Sequence, residues 1–213
     1  MEQQYGRFEY WESRYELDTQ TFEWYQDWKG VKDIISQYIT KQAKILNIGC
    51  GSSKLPADML EEKYESIYSI DNNQTIIDAM KQRYESKGEA LQFECMDVRK
   101  LKPEWTEYFD CVIDKGTLDS VLCGEDSKKN SRRMLQEIYR VLSKKGVYFC
   151  ISYGEPKIRK DKYFATEDFD WKVVVHKIYR PKMSKDALEL TDEPEDIKNE
   201  RCHYIYVCIK TTA

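Results

Sequence analysis

Glycines and acidic residues follow strand-like runs at the points where an α/β sheet places ligand chemistry. Gly49 and Gly51 come directly after the apolar run 44–48, and Asp71 ends the next such run. Glycine lets the backbone turn sharply and come close to a ligand. A carboxylate at the end of the second strand can accept hydrogen bonds from both hydroxyls of a ribose. The pattern therefore predicts a site for a cofactor that contains a nucleoside.

Residues in and after the same region indicate which nucleoside-containing cofactor this site would bind. Lys54 stands where a dinucleotide-binding turn would carry its third glycine, so the pattern for a pyrophosphate is incomplete. S-adenosylmethionine joins an adenosine to an amino-acid tail and needs no phosphate cradle. Asp97 and Val98 follow the third strand-like run, where an acid and a backbone N–H can read an adenine edge. We therefore predict S-adenosylmethionine as the cofactor.

The elements that must position these residues alternate between short apolar runs and helical patterns, which is typical of βαβ units and a parallel sheet. Two later strand-like runs, 170–179 and 202–210, have only a polar loop between them, so we expect an antiparallel pair at one end of the sheet. The predicted strands before them are 44–48, 66–70, 91–95, 109–113 and 147–152, and the predicted helices are 21–38, 55–63, 74–84 and 131–142.

Composition narrows the class of protein. The chain has 213 residues with 34 basic and 38 acidic side chains, which argues against a broadly basic surface for nucleic acid. No leader-like start or membrane-length apolar run is seen, and we expect no membrane partner. Seven cysteines without a C-x-x-C pair indicate reduced, buried thiols in a cytoplasmic protein, and with two histidines no metal site is expected. The acid-rich stretch 183–201 is predicted to be a solvated loop.

Several segments together resemble the seven-strand S-adenosylmethionine-dependent methyltransferases, and within them the eukaryotic enzymes that methylate lysine in translation elongation factor 1-alpha. The matching segments are Tyr10–Tyr15, Phe22–Trp24, Ile48–Ser52, Cys95–Arg99, Asp114–Asp119 and His203–Tyr206. The resemblance implies one domain over 1–213, with a helical lid segment at 1–40 and a Rossmann-like core at 41–213. The implied fold class is α/β: a doubly wound, mostly parallel seven-stranded sheet with an antiparallel C-terminal strand pair and an N-terminal helical lid.

The resemblance also implies roles for individual residues. Gly49 and Gly51 would pass close to the methionine moiety, Asp71 would hold the ribose with Asn72 beside it, and Asp97 and Val98 would flank the adenine. Lys115 would line the methionine side. The residues implied to fold over the cofactor are aromatic, and aromatic faces attract a sulfonium cation: Trp11, Tyr15 and Trp24.

A lysine acceptor must lose a proton before it can attack a methyl group. A nearby carboxylate can align the amine and take the proton through water, and a desolvated pocket lowers the pKa of the amine. We predict Asp114 for this catalytic role, with Lys115 beside it as the second catalytic residue and Asp119 as the alternative carboxylate.

The residues and the resemblance together predict a methyltransferase that acts on a protein lysine, and the resemblance implies elongation factor 1-alpha as the substrate. Three alternatives stay open at this point. The acceptor could be a small molecule or a protein N-terminus, or the fold could be a cofactor-binding module without turnover. The basic runs 128–133 and 157–162 would support an RNA-binding enzyme, although they lack regularly interleaved aromatic residues.

Overall fold

A computed structural model describes residues 4–179 and 202–211, and the predicted acidic loop 183–201 lies outside these described residues. The described strands form one sheet of seven in the order β3-β2-β1-β4-β5-β7-β6. Their bounds are β1 Lys44–Ile48, β2 Ser66–Asp71, β3 Leu91–Cys95, β4 Phe109–Lys115, β5 Leu142–Ser152, β6 Trp171–Tyr179 and β7 Cys202–Lys210. The predicted mostly parallel sheet is confirmed.

The order in which the parallel strands are added to the sheet reverses direction at β1. This strand pairs in parallel with β2 on one side and with β4 on the other, and Ile48 lies opposite both Ile70 and Asp114. The crevice at such a reversal, at the carboxyl ends of the strands, is where open α/β sheets bind ligands. The register therefore brings the ends of β1, β2 and β4 to one place.

The far side of the sheet is antiparallel, as predicted. β7 pairs antiparallel with β5 and with β6, and β7 is buried along almost its whole length because it lies between them. Its first residues face the last residues of β5, with Tyr204 opposite Ser152. The start of β7 therefore reaches the same edge of the sheet as the end of β5.

Helices cover both faces of the sheet. The described helices are α1 Phe8–Leu17, α2 Trp28–Ile35, α3 Leu55–Glu61, α4 Gln74–Arg83, α5 Thr117–Leu122, α6 Ser127–Val141 and α7 Pro156–Arg159. One buried cluster joins α2, α3 and α4 to the sheet, and a second joins α5 and α6 to the other face. None of the described helices has the length and apolar character needed to cross a membrane.

The predicted helix over 21–38 is wrong in its first half. Helix α2 begins only at Trp28, after Asp27 accepts a hydrogen bond from the backbone N–H of Gly30 and so caps it. Tyr25 has a φ of +63°, which belongs to the left-handed region and cannot continue a right-handed helix. The residues before α2 therefore run in an irregular path across the carboxyl edge of the sheet. We call residues 4–27, which include α1 and this path, the N-terminal cover.

Candidate functional site

The turn after β1 has the backbone that the sequence predicts. Gly49 and Gly51 adopt φ values of +57° and +48°, which favour glycine. A Cβ at Gly49 would collide with the Thr117 hydroxyl, and a Cβ at Gly51 would lie 2.8 Å from the Tyr15 hydroxyl oxygen. Both glycines are therefore required by φ and by space, and the turn presents bare backbone at the end of the sheet.

Asp71 lies beside this turn. Its Oδ2 accepts a hydrogen bond of 2.9 Å from the Gly51 N–H, and its Oδ1 accepts one of 3.1 Å from the Asn73 N–H. The side chain is buried, and burial raises the pKa of Asp71 to about 6, although its backbone hydrogen bonds act in the opposite direction. None of the salt bridges found among the described residues involves Asp71. Its free lone pairs fit the hydroxyl groups of a ribose.

The two asparagines after Asp71 have different surroundings. Asn73 is buried, and its side chain caps α4 by accepting a hydrogen bond of 3.1 Å from the Ile76 N–H. Asn72, the predicted neighbour of the ribose, is exposed at the mouth of the turn. The cofactor-binding role of Asn72 stays a prediction, whereas Asn73 fixes the helix that follows.

Asp97 and Val98 lie just past the end of β3, next to the end of β2, because the Met96 N–H donates to the Asp71 carbonyl at 2.8 Å. The Asp97 carboxylate binds the Arg99 guanidinium, with an Nη2–Oδ2 distance of 2.7 Å. Partial burial acts to raise the pKa of Asp97, but hydrogen bonds from Arg99 outweigh it and lower the pKa. Val98 is buried. The geometry thus brings this pair to the predicted adenine side of the site.

The predicted aromatic residues of the N-terminal cover do come together. The rings of Trp11 and Tyr15 stack at 5.9 Å, and Trp24 meets Trp11 edge-on at 6.0 Å. The Tyr15 hydroxyl reaches the space above Gly51, as described for the turn. Arg14 lies with its guanidinium carbon 4.8 Å from the centre of the Phe22 ring. The cover therefore packs an aromatic layer onto the glycine turn, where a sulfonium would be attracted by the ring faces.

Glu23 fastens this cover to the sheet, which sequence reasoning did not foresee. Its Oε2 accepts hydrogen bonds from Lys115 Nζ at 2.8 Å and from the Ser53 hydroxyl at 2.7 Å, and its Oε1 accepts one from the Lys54 N–H at 2.6 Å. Lys115 Nζ also donates to the Trp24 carbonyl at 3.0 Å. Burial lowers the pKa of Lys115, with Glu23 acting to raise it. Lys115 therefore binds the N-terminal cover, and its predicted roles beside the methionine part of the cofactor and in catalysis stay predictions.

The structure gives Asp114 a different setting from the predicted one. Its side chain is fully buried and accepts hydrogen bonds from the Thr117 N–H at 2.7 Å and from the Tyr148 hydroxyl at 2.8 Å. Burial raises the pKa of Asp114 to about 7. This geometry makes Asp114 the anchor of the first turn of α5, because its oxygens face that backbone. The predicted catalytic role of Asp114 stays a prediction that this geometry does not favour.

Asp119, the alternative carboxylate, is the centre of a buried polar group that we call the Asp119 cluster. It accepts hydrogen bonds from the hydroxyls of Tyr25 at 2.8 Å and Ser152 at 2.6 Å, and from the Tyr153 N–H at 3.2 Å. The Arg159 guanidinium forms a buried salt bridge with Asp119 at 2.8 Å. Sequence reasoning missed Tyr25, Ser152, Tyr153 and Arg159, since each stands alone in its segment.

Tyr25 also joins the Asp119 cluster to the end of β4. Its ring covers Gly116, where a Cβ would lie 3.2 Å from the ring, and Gly116 has a φ of +89°. On the other side the ring centre is 4.7 Å from that of His203 and 6.2 Å from that of Tyr153. The Asp119 cluster therefore lies next to Gly116, which directly follows Lys115 at the end of β4.

Comparison with known proteins agrees with this geometry. A family model described as a methyltransferase domain matches residues 39–203. The eEF1A lysine and N-terminal methyltransferase of Mus musculus is 35% identical over 181 residues, which is 82% of this chain and 25% of that protein. The mouse EEF1A lysine methyltransferase 4 is 30% identical over 179 residues, 79% of this chain and 69% of that protein. The chain thus spans about a quarter of the length of the first relatives.

Solved structures share the fold at low identity. An S-adenosylmethionine-dependent methyltransferase of Methanosarcina mazei matches with a TM-score of 0.61 and 19% identity, over 84% of this chain and 98% of that one. The 1,6-didemethyltoxoflavin-N1-methyltransferase of Burkholderia thailandensis, solved with S-adenosylhomocysteine, matches with a TM-score of 0.60 and 17% identity, over 85% and 77%. The predicted Rossmann-like fold is therefore confirmed.

Proposed function

Because this chain belongs to the S-adenosylmethionine-dependent methyltransferases, we propose that it transfers a methyl group to a lysine of a protein, with translation elongation factor 1-alpha as the substrate. The identity of 30–35% to relatives named for that activity, over about four fifths of the chain, carries the proposal of substrate. The buried Asp71, which lies beside a turn of two left-handed glycines and forms no salt bridge with the described residues, supports the proposal of cofactor binding.

The residues at the carboxyl edge of the sheet fit the parts of the cofactor. Asp71 would accept hydrogen bonds from the ribose hydroxyls, the backbone at Gly49 and Gly51 would lie against the amino-acid part, and Val98 would lie against the adenine. When bound, S-adenosylmethionine supplies a methyl group on a sulfonium, and the electron pair of the broken C–S bond stays on sulfur.

The protein contributes to the reaction by placing the reacting atoms and by excluding water. Transfer requires the acceptor nitrogen, the methyl carbon and the sulfur to lie in line, and such placement can supply much of a rate enhancement. The N-terminal cover closes the site from one side with Trp11, Tyr15 and Trp24, and the pair of Glu23 and Lys115 holds it there. The starting ammonium gives its proton to water, and the free amine is the nucleophile.

The test is transfer of labelled methyl groups from S-adenosylmethionine to purified elongation factor 1-alpha and to a eukaryotic extract, resolved by gel and mass spectrometry. We expect one labelled lysine in the factor, and loss of both label and cofactor binding in Asp71→Ala. Asp78→Ala is the matched control, because Asp78 is an exposed residue of α4 whose carboxylate accepts a hydrogen bond from the Gln74 side chain at 2.7 Å. Cofactor binding without label in any protein would refute the proposed function.

A second acceptor is favoured by a specific observation. The first relatives are named for methylation of both lysine and an N-terminus, and each of these acceptors is a primary amine. We therefore include a protein α-amino group as the second candidate acceptor, which mass spectrometry of the labelled peptide separates from lysine. A cytoplasmic location is proposed as well, supported by the buried thiols of Cys50, Cys111, Cys150 and Cys208.

A further inference from the structure

Tyr25 keeps a backbone conformation that an aromatic residue rarely adopts. Its φ of +63° is disfavoured for a side chain with a Cβ, and such strain persists where the surroundings enforce it, commonly at functional sites. Two contacts enforce it here. The hydroxyl donates to Asp119 at 2.8 Å, and the ring packs over Gly116, whose lack of a side chain leaves the room. The fold therefore holds the Tyr25 hydroxyl at one fixed point.

That hydroxyl offers acceptor capacity. A carboxylate can only accept hydrogen bonds, so the Tyr25 proton is directed at Asp119 and the two lone pairs of the phenol oxygen point elsewhere. Within residues 4–179 and 202–211, no hydrogen-bond donor reaches this oxygen. Burial, together with the nearby charge of Asp119, raises the pKa of Tyr25, so the phenol stays neutral. An N–H group of a ligand is the partner that such an oxygen fits.

The charges around the oxygen favour a neutral amine as that partner. Arg159 binds Asp119 through both Nε at 3.1 Å and Nη2 at 2.8 Å, on the oxygen that Tyr25 does not use. The carboxylate charge is therefore already compensated by a buried guanidinium. A compensated carboxylate does not hold an amine in its ammonium form, as an unpaired one would. The cluster thus suits a lysine that has lost its proton, which is the form that can attack a methyl group.

The side chains around the Tyr25 ring are aromatic, and one of them reaches the protein surface. The Tyr153 ring is 6.2 Å from that of Tyr25, and Tyr153 is 49% exposed, whereas His203, the other ring beside Tyr25, is buried. A long, thin side chain such as lysine can pass along Tyr153 with its methylene groups against the ring. The ring faces also attract the positive charge that appears on nitrogen once the methyl group is attached.

The position agrees with transfer from the proposed cofactor site. Tyr25 follows Trp24, which belongs to the aromatic layer over the glycine turn, and its ring covers Gly116, which follows Lys115. The cluster also lies at the ends of β4 and β5, where open α/β sheets place their chemistry. The acceptor and cofactor sites would therefore share one wall, made of the cover and the end of β4.

We propose that the Tyr25 hydroxyl, oriented by Asp119, accepts a hydrogen bond from the acceptor amine and thereby points the nitrogen lone pair at the methyl group. The inference rests on the proposed function and names the acceptor site of that reaction. The nitrogen lone pair forms the N–C bond as the C–S bond breaks, the C–S electron pair stays on sulfur, and the product leaves as a methylated ammonium. Tyr25 contacts the substrate in this account, and Asp119 is a positioning residue that acts through Tyr25.

The test compares Tyr25→Phe with the wild-type chain, since this change removes one oxygen and keeps the ring over Gly116. With elongation factor 1-alpha as acceptor, we expect kcat/KM to fall about 10- to 100-fold, the range for loss of one strong hydrogen bond. We expect the Kd for S-adenosylmethionine to change by less than about twofold, in line with the separate cofactor residues. Tyr153→Leu, a second variant, should raise the KM for the protein acceptor and leave the cofactor Kd unchanged.

Tyr38→Phe is the matched control, because the Tyr38 hydroxyl contacts His176 at 3.0 Å and is not one of the groups that bond Asp119. It should retain wild-type kcat/KM. Wild-type transfer together with an unchanged kcat/KM in Tyr25→Phe would overturn the acceptor site alone. A parallel loss of cofactor affinity in Tyr25→Phe would also overturn it, by making the role of the hydroxyl structural. Absence of transfer by the wild-type chain would overturn the proposed function, and the acceptor site with it.

Discussion

The buried pair of Glu23 and Lys115 should decide whether the N-terminal cover stays on the sheet. The Lys115 side chain is 7% exposed and that of Glu23 is 22% exposed, with 2.8 Å between Nζ and Oε2. We predict that Glu23→Gln destabilises the protein more than Lys115→Met does. The two changes remove the same salt bridge, so a difference between them comes from what each leaves behind.

The structure sets the size of each effect. Glu23→Gln leaves the Lys115 ammonium buried without its counter-charge, and it replaces one of two acceptor oxygens that both receive donors. Removal of one partner of a buried pair costs about 3–5 kcal/mol. Lys115→Met leaves the carboxylate with the Ser53 hydroxyl and the Lys54 N–H, so we expect a cost of about 1–3 kcal/mol. In a chain of this size, about 3–5 kcal/mol corresponds to a Tm lower by roughly 6–20 °C.

Two measurements check this prediction. Thermal unfolding of both single variants and the double variant gives the order of their effects, and the double variant should cost less than the sum of the single ones. Hydrogen exchange reports whether the cover opens before the rest of the chain, in which case amides of α1 lose protection while those of β1 keep it. The reasoning fails if Lys115→Met is as destabilising as Glu23→Gln, or if neither variant changes Tm or exchange in α1.

Three further predictions follow from the geometry. The ribose hydroxyls bind the charged form of Asp71, whose pKa is raised to about 6, so the Kd for S-adenosylmethionine should rise about tenfold per pH unit below that value. Calorimetry should show this rise for the wild-type chain and a Kd that does not change with pH for Asp71→Asn. Gly51→Ala should weaken cofactor binding at least about tenfold in the same assay, whereas Gly88→Ala, with similar φ but an open Cβ position, should not. Arg159→Met should lower Tm by roughly 6–20 °C, since it leaves a buried aspartate without its counter-charge, and Arg132→Met, from an exposed pair, by less than about 4 °C.

The strands of the sheet could be predicted because the local sequence of apolar residues already indicates that they are buried. The run Lys44–Ile48 has apolar residues on both faces, and the structure buries both, as a central parallel strand requires. The predicted bounds of β3 and β7 match the observed ones. The order of the strands and the register that brings Ile48 opposite Asp114 depend on contacts between distant segments, which no single run contains.

The N-terminal cover shows why part of the site could not be predicted. The apolar spacing over 21–38 fits a helix, but contacts with the sheet override that preference at Tyr25, and the helix begins only at Trp28. Glu23 is the one acid between Phe22 and Trp24 and looks like an ordinary surface acid until the fold brings Lys115 to it. Asp114 was predicted from its place at a strand end, and only its partners in three dimensions show that its oxygens face α5.

The segment from Asp114 to Asp119 links the parts of this edge of the sheet, and its residue types follow from those links. Asp114 holds the first turn of α5, Lys115 holds the cover through Glu23, and Gly116 leaves room for the Tyr25 ring. The Thr117 hydroxyl donates to the Ile48 carbonyl at 2.9 Å and fills the space that Gly49 leaves. Asp119 then fixes Tyr25. The five residues named here therefore connect α5, the glycine turn and the N-terminal cover within one short segment, which is why a change at any of them should disturb at least one of these parts.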